Sequence, residues 1–237
     1  MNKVGIDARL TYYRDGGIST YIRELVKALE TINDNNDYTI FHSRKDNKML
    51  SDKFRRRQLW TPAHHRLERL TLSAELGWRG LDVFHSPDFI PPYRAAKHHV
   101  ITVHDLTFLH YPEYLTADSR QYYNAQIEAA CQHADKILAV SESTKNDLVT
   151  TMKVPLDKII VQPHGVGKQY KPLSSEEIEP VRLALDLPQN YILHVGTWEP
   201  RKNIIGLLKA YKELLTDLPD APPVVLVGHE GWVFDET

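Results

Sequence analysis

The stretch Tyr191-Ile-Leu-His-Val-Gly-Thr-Trp-Glu-Pro-Arg-Lys-Asn203 runs from an apolar strand through a glycine turn to a basic pair at an expected helix start. Free backbone N–H groups and the positive end of a helix dipole favour an anion at such a place. Arg201 and Lys202 would add charge-assisted bonds, so the predicted chemistry is diphosphate binding. A second glycine turn, Gly16-Gly17-Ile18, follows the first strand and opens the first helix. Its backbone can approach a ligand closely and its amides can face an anion. It lacks the full G-x-G-x-x-G spacing of dinucleotide binders, and a ligand-free βα turn accounts for it equally well. Arg9 and Arg14 flank that loop and read either as further anion contacts or as solvated side chains.

Three other strand ends carry polar groups. His104-Asp105 closes the run Val100-Ile-Thr-Val, on the edge where open α/β sheets bind ligands, although a lone histidine there is more often structural. Twelve histidines without an H-x-H or H-E-x-x-H pattern predict no metal site. Ser141-Glu142-Ser143 reads as a βα loop with Ser143 as helix cap, because no G-x-S-x-G elbow surrounds Ser141. In Gln162-Pro-His-Gly-Val166, Gly165 reads as a turn requirement and His164 as a hinge or cleft residue.

These residues need elements to position them. Apolar or β-branched runs at Val4–Ala8, Tyr38–His42, Val83–His85, Val100–His104, Ile137–Val140, Ile159–Gln162, Tyr191–Val195 and Val224–Val227 alternate with helical patterns, which predicts βαβ units and a parallel sheet. Ile18, Ile22, Leu25, Val26 and Leu29 share one helical face. Further helices are expected at His64–Leu76, Ser119–His133, Ser143–Thr151, Ser175–Leu185 and Asn203–Leu215, with Ser119, Ser143, Ser175 and Asn203 as N-cap types. Gly165, Gly167, Pro172, Pro180 and Pro188 mark a boundary. The expected layout is an α/β fold: a Rossmann-like domain over 1–170, a linker over 171–190, and the first β-α-β of a second such domain over 191–237. Two strands and one helix cannot cover both faces of a parallel sheet, so a truncated chain is expected.

With 237 residues and 42% apolar composition the chain can hold a proper core. Its net charge of −2 argues against wholesale nucleic-acid binding. The single cysteine, Cys131, excludes an internal disulfide framework and, with no leader or membrane span, points to the cytoplasm. Residues 44–69 hold nine Lys or Arg against three acids, read as a solvated surface or as a basic edge for anionic lipid and peripheral membrane contact. Beside it Leu67, Leu70 and Ala74 form a helical stripe that reads as core.

Taken in order, Gly16-Gly17-Ile18, Thr102-Val-His-Asp105, Val140-Ser141, Pro163-His-Gly-Val166 and Gly196-Thr-Trp-Glu-Pro-Arg-Lys-Asn203 resemble the family-four retaining glycosyltransferases of the GT-B fold. The resemblance spans essentially the whole chain. It implies two Rossmann-like domains facing across a cleft, a nucleotide-sugar donor bound mainly by the second, a glycan or lipid-linked acceptor bound mainly by the first, and no metal ion or other cofactor. Residue by residue, it implies that Gly16 and Gly17 approach the donor phosphates, that His104 is the cleft histidine near the donor sugar, and that Lys202 grips the diphosphate. The family's usual arginine directly after the strand glycine is replaced by Thr197, and Arg201 stands one place before the lysine, so the diphosphate guanidinium is assigned to Arg201. Asp105, Ser141, His164, Gly165, Gly196, Thr197 and Glu199 are expected near the cleft, with Glu199 also readable as a helix-start residue. The family's two glutamates, seven residues apart, have no counterpart before Thr237.

The reaction implied is transfer of a hexose or deoxyhexose, leaning to mannose or rhamnose, with retention, in polysaccharide or lipopolysaccharide assembly. Arg201, Lys202 and the helix start would stabilise the leaving diphosphate. A noncatalytic nucleotide-binding or assembly module of the same fold is the rival reading, since fold alone does not fix function. A GT-B epimerase or sugar-phosphate synthase is a second rival, whereas an NAD-dependent oxidoreductase fails on the missing dinucleotide fingerprint.

Overall fold

The computed structural model describes residues 1–32, 35–114 and 117–231, and the chain divides into two compact units, 1–165 and 166–237. All eight expected strands are present. In the first unit β1 (Lys3–Asp7), β2 (Asp37–Ser43), β3 (Arg55–Leu59), β4 (Leu81–Ser86), β5 (Ala96–Val103), β6 (Lys136–Ala139) and β7 (Ile159–Val161) form one seven-stranded sheet in the order β3-β2-β1-β4-β5-β6-β7. Every pairing in it is parallel. β3 is the strand the sequence patterning missed, because Arg55-Arg56-Arg57 reads as a solvated charge run. It lies at the sheet edge, where exposed charge is tolerated and discourages pairing with another chain.

Helices cover the sheet. The first unit holds α1 (Leu10–Tyr13), α2 (Gly17–Thr31), α3 (Glu68–Leu76), α4 (Thr107–His110), α5 (Ala117–His133) and α6 (Glu142–Thr150). The predicted apolar face of α2 is the one it buries: Ile22 and Val26 pack with Ile6, Ala8 and Ile40. A second cluster joins Phe41, Phe84, Leu72, Leu76 and Leu81. Gly5 makes that cluster possible, since a Cβ there would stand 2.8–2.9 Å from the side chains of Leu81, Phe41 and Phe84. The largest cluster, under β5 and β6, includes Ile101, Val103, Ile127, Ile137 and Cys131, whose thiol burial pushes up to about 12. Leu67 and Leu70 are 54% and 58% exposed, so the stripe expected as core faces solvent instead, and α3 buries Leu72 and Leu76.

Strand order reverses between β1 and β4, which makes the C-terminal ends of these two strands the topological switch point.

The second unit contains α7 (Ser175–Ala184), β8 (Ile192–Val195), α8 (Ile204–Asp217) and β9 (Val224–Val227), with β8 and β9 parallel. Within residues 171–190, α7 is the helix expected at Ser175–Leu185. Its cap is Ser174, in a capping box with Glu177, one residue before the expected Ser175. The two strands leave Leu193 52% and Val195 67% exposed, as a sheet too small to cover its faces must.

Candidate functional site

At the switch point the sheet ends in charge rather than apolar surface. Arg9, expected in an anion site or in solvent, does neither: it is 1% exposed, with its Nη2 donating to Asp7 Oδ2 at 2.6 Å and Glu68 Oε1 at 2.5 Å, and its Nη1 to the Thr61 carbonyl. Burial alone would lower the Arg9 pKa, but the two carboxylates raise it, so the guanidinium stays charged. Glu68 is itself pushed up by burial, against the pull of Arg9. Its second oxygen accepts the Tyr122 hydroxyl at 3.0 Å and the His64 amide at 2.7 Å. His64, in the left-handed region at φ 59°, pairs through Nε2 with Asp88 at 2.8 Å.

One strand further, a second cluster surrounds His104. Its Nε2 lies 2.9 Å from the Pro87 carbonyl, which can only accept, so this nitrogen carries a proton and donates it there. Tyr21 stands edge-on to His104 with centroids 5.1 Å apart, and His164 tilts against both rings at 4.8 and 5.3 Å. The Tyr21 hydroxyl meets Thr102 Oγ1 at 3.3 Å, and Thr102 also meets His85 Nε2 at 2.8 Å. Burial, and then the neighbouring His104, hold His85 at about 4, so it stays neutral. Burial followed by the same neighbour also lowers His164.

Ser141, not Ser143, caps α6: its Oγ accepts from the Thr144 amide at 3.0 Å, while Thr144 Oγ1 donates to the His104 carbonyl. Asp105 is exposed, and its Oδ1 accepts the Thr107 amide. Sequence patterning brought His104 and His164 forward but missed Tyr21, which looks like one more core residue of α2.

Gly16 and Gly17 precede and open α2, and a Cβ on either would meet nothing within 4 Å. Gly16 has φ 169°, ordinary extended backbone. Packing within the chain therefore does not demand glycine at these positions. Gly165, expected as a turn requirement, is also open and does not have the positive φ that would call for glycine.

The second unit corrects the opening motif. After β8 the chain does not turn into a helix: the Gly196 amide donates to the Val227 carbonyl and the Trp198 amide to the His229 carbonyl, so Gly196-Thr197-Trp198 continues alongside the neighbouring chain. Gly228 permits this approach, because a Cβ on it would strike the Gly196 carbonyl oxygen. Glu199, 4% exposed, precedes a 3-10 turn, Pro200–Lys202, which carries the basic pair. Asn203, left-handed at φ 50°, then caps α8 by accepting from the Gly206 amide at 3.2 Å. Arg201 and Lys202 thus stand before the helix rather than in its first turn. Arg201 donates to Glu199, whereas Lys202 has no ion-pair partner among the described residues.

Among the described residues no group of three His, Cys, Asp or Glu side chains is placed to hold a metal ion, and no helix is long and apolar enough to cross a membrane.

A sequence profile of Glycosyltransferase Family 4 matches residues 15–169. The chain belongs to this family. O-antigen chain mannosyltransferase B of Escherichia coli is 30% identical over 240 residues, covering 92% of this chain and 62% of that protein. The serotype-specific mannosyltransferase WbdA of the same organism is 30% identical over 141 residues, 58% of this chain and 17% of its own length. Among solved structures, the Anabaena protein HepE in complex with UDP and glucose has a TM-score of 0.67 at 13% identity, covering 100% of this chain and 63% of that one. The lipopolysaccharide outer core galactosyltransferase WaaB, in its apo form, has a TM-score of 0.56 at 17% identity, with 100% and 63% covered. These likenesses confirm the GT-B type of α/β fold. The chain spans less than two thirds of the length of each of these proteins.

Proposed function

We propose that the protein transfers a hexose, mannose in the first instance, from a nucleoside diphosphate sugar to a glycan or lipid-linked acceptor, with retention and without a metal ion. The observation that carries this reading is the 30% identity to O-antigen chain mannosyltransferase B over 92% of the chain. The geometry supports it. Lys202, with no ion-pair partner among the described residues, is available to a diphosphate, and Arg201 keeps further N–H groups beyond the one given to Glu199. The open backbone at Gly16-Gly17 suits close approach of a ligand.

In the proposed reaction the acceptor hydroxyl oxygen bonds to the anomeric carbon as its bond to the diphosphate oxygen breaks. The hydroxyl proton passes to the departing phosphate. Lys202 and Arg201 stabilise the charge gathering on that leaving group, and His104 positions the sugar through a hydrogen bond to one of its hydroxyls. The same reading places the protein at the cytoplasmic face of a membrane. Trp60 and Trp78 are 70% and 74% exposed, with the Arg44 and Arg79 guanidiniums 4.1 and 4.6 Å from their rings, and Leu67 and Leu70 are exposed as well. Exposed indole and guanidinium side by side suit an anionic lipid interface. Incubating a protein that carries this chain at its full natural length with GDP-mannose or UDP-hexose and a polyprenyl-linked glycan, in the presence of EDTA, tests the reading. A product with an added sugar of retained configuration is expected, and no transfer with any nucleoside diphosphate sugar would overturn it.

A further inference from the structure

One cavity lies outside the residues that the transferase reading uses. It encloses about 560 Å³ and is lined by Arg14, His64, Arg66, Tyr122, Tyr123 and Gln126, with Gln121 and Ala125 beside them. That volume falls within the roughly 300–1,000 Å³ range of small-ligand sites. Its aromatic wall is held from behind. The Tyr122 hydroxyl is committed to Glu68 and the His64 imidazole to Asp88, while the His64 ring lies 5.9 and 6.0 Å from Tyr122 and Tyr123. The buried Arg9–Glu68 pair fixes this arrangement in turn. At the mouth, Arg14 reaches the Tyr123 hydroxyl at 3.4 Å, and neither Arg14 nor Arg66 has a carboxylate partner among the described residues. Flat rings, side-chain amides and two guanidiniums with no carboxylate partner among the described residues form a wall that suits a sugar ring carrying an anionic group.

We infer that this cavity binds a phosphorylated sugar as the acceptor moiety, its ring against Tyr122, Tyr123 and His64 and its phosphate between Arg14 and Arg66. The acceptor role rests on the proposed transferase reading; the binding chemistry does not. The test is calorimetric titration of the 237-residue chain with mannose 1-phosphate, methyl α-mannoside, inorganic phosphate and GDP. Mannose 1-phosphate is expected to bind at least about tenfold tighter than methyl α-mannoside or phosphate. Arg14→Ala and Arg66→Ala are each expected to weaken it by at least about tenfold, the loss of one charge-assisted bond, without lowering Tm. A short prenyl diphosphate carrying the same sugar separates the sources of the phosphate: tighter binding assigns a lipid-linked acceptor and equal binding a free sugar phosphate. Affinity unchanged in the double variant, or GDP binding that depends on the same two arginines, overturns the inference. Transfer that survives both substitutions overturns the acceptor role alone. Arginine-dependent binding with no transfer from any donor overturns the transferase reading and leaves the cavity's ligand class standing.

Discussion

Arg201 and Lys202 are neighbours in sequence, yet Glu199 engages the guanidinium of the first while the ammonium of the second has no ion-pair partner among the described residues. Lys202→Ala in the full-length enzyme is therefore expected to lower kcat/KM by on the order of 100-fold, the usual effect of removing one group that stabilises transition-state charge. Steady-state transfer assays check this, and a loss below tenfold would remove Lys202 from the donor site. Gly16→Ala separates ligand approach from packing. With open space at its Cβ and an extended φ, the variant should keep its Tm within a few degrees while losing transfer activity. Equal activity would return the glycine loop to an ordinary βα turn. The cap at Asn203 was legible in the sequence because it acts within three residues. The pairing of Arg9 was not, because Glu68 lies 59 residues away and nothing local announces it.

For the elements, the eight apolar runs and the face of α2 were readable because each carries its own periodicity. The caps of α6 and α7 were readable to within a residue or two, since Ser174 and Ser175, or Ser141 and Ser143, offer the same chemistry and backbone geometry chooses between them, whereas Ser119 lies inside α5, which begins at Ala117. β3 and the exposed stripe of α3 were misread for one reason. A charge run can hide an edge strand and an apolar stripe can face out, and only tertiary partners decide which. The membrane proposal belongs to these two elements. Trp60→Ser combined with Trp78→Ser should reduce co-sedimentation with vesicles containing anionic phosphatidylglycerol by at least several-fold and leave binding to neutral vesicles unchanged near background. Retention of full vesicle binding would detach the surface from the membrane.

Across the whole molecule, stability should fall in acid. His85, at about 4 in the folded protein, lies below the ordinary imidazole value of 6.5, chiefly through burial. As pH falls through 6.5 the unfolded chain takes up that proton first. The stability of the neutral buried ring is thus lost progressively between pH 6.5 and 4, by on the order of 3 kcal/mol, with no further loss below. His99, also held at about 4 by burial and then by His133, acts in the same direction. Thermal melts from pH 7.5 to 4 check this, and His85→Asn should flatten part of the slope; an unchanged slope would assign the acid sensitivity elsewhere. The strand order was beyond the sequence, because parallel strands look alike and only three-dimensional pairing shows where the order reverses. That reversal point is also where Arg9 meets Glu68. The guanidinium just past β1 is held by Asp7, two residues before it, and by Glu68, 59 residues after it, so its full set of partners exists only once α3 has packed beside the first strand. One buried cation thus ties a contact made within three residues to one made across fifty-nine, so the native first strand and the native position of α3 each require the other.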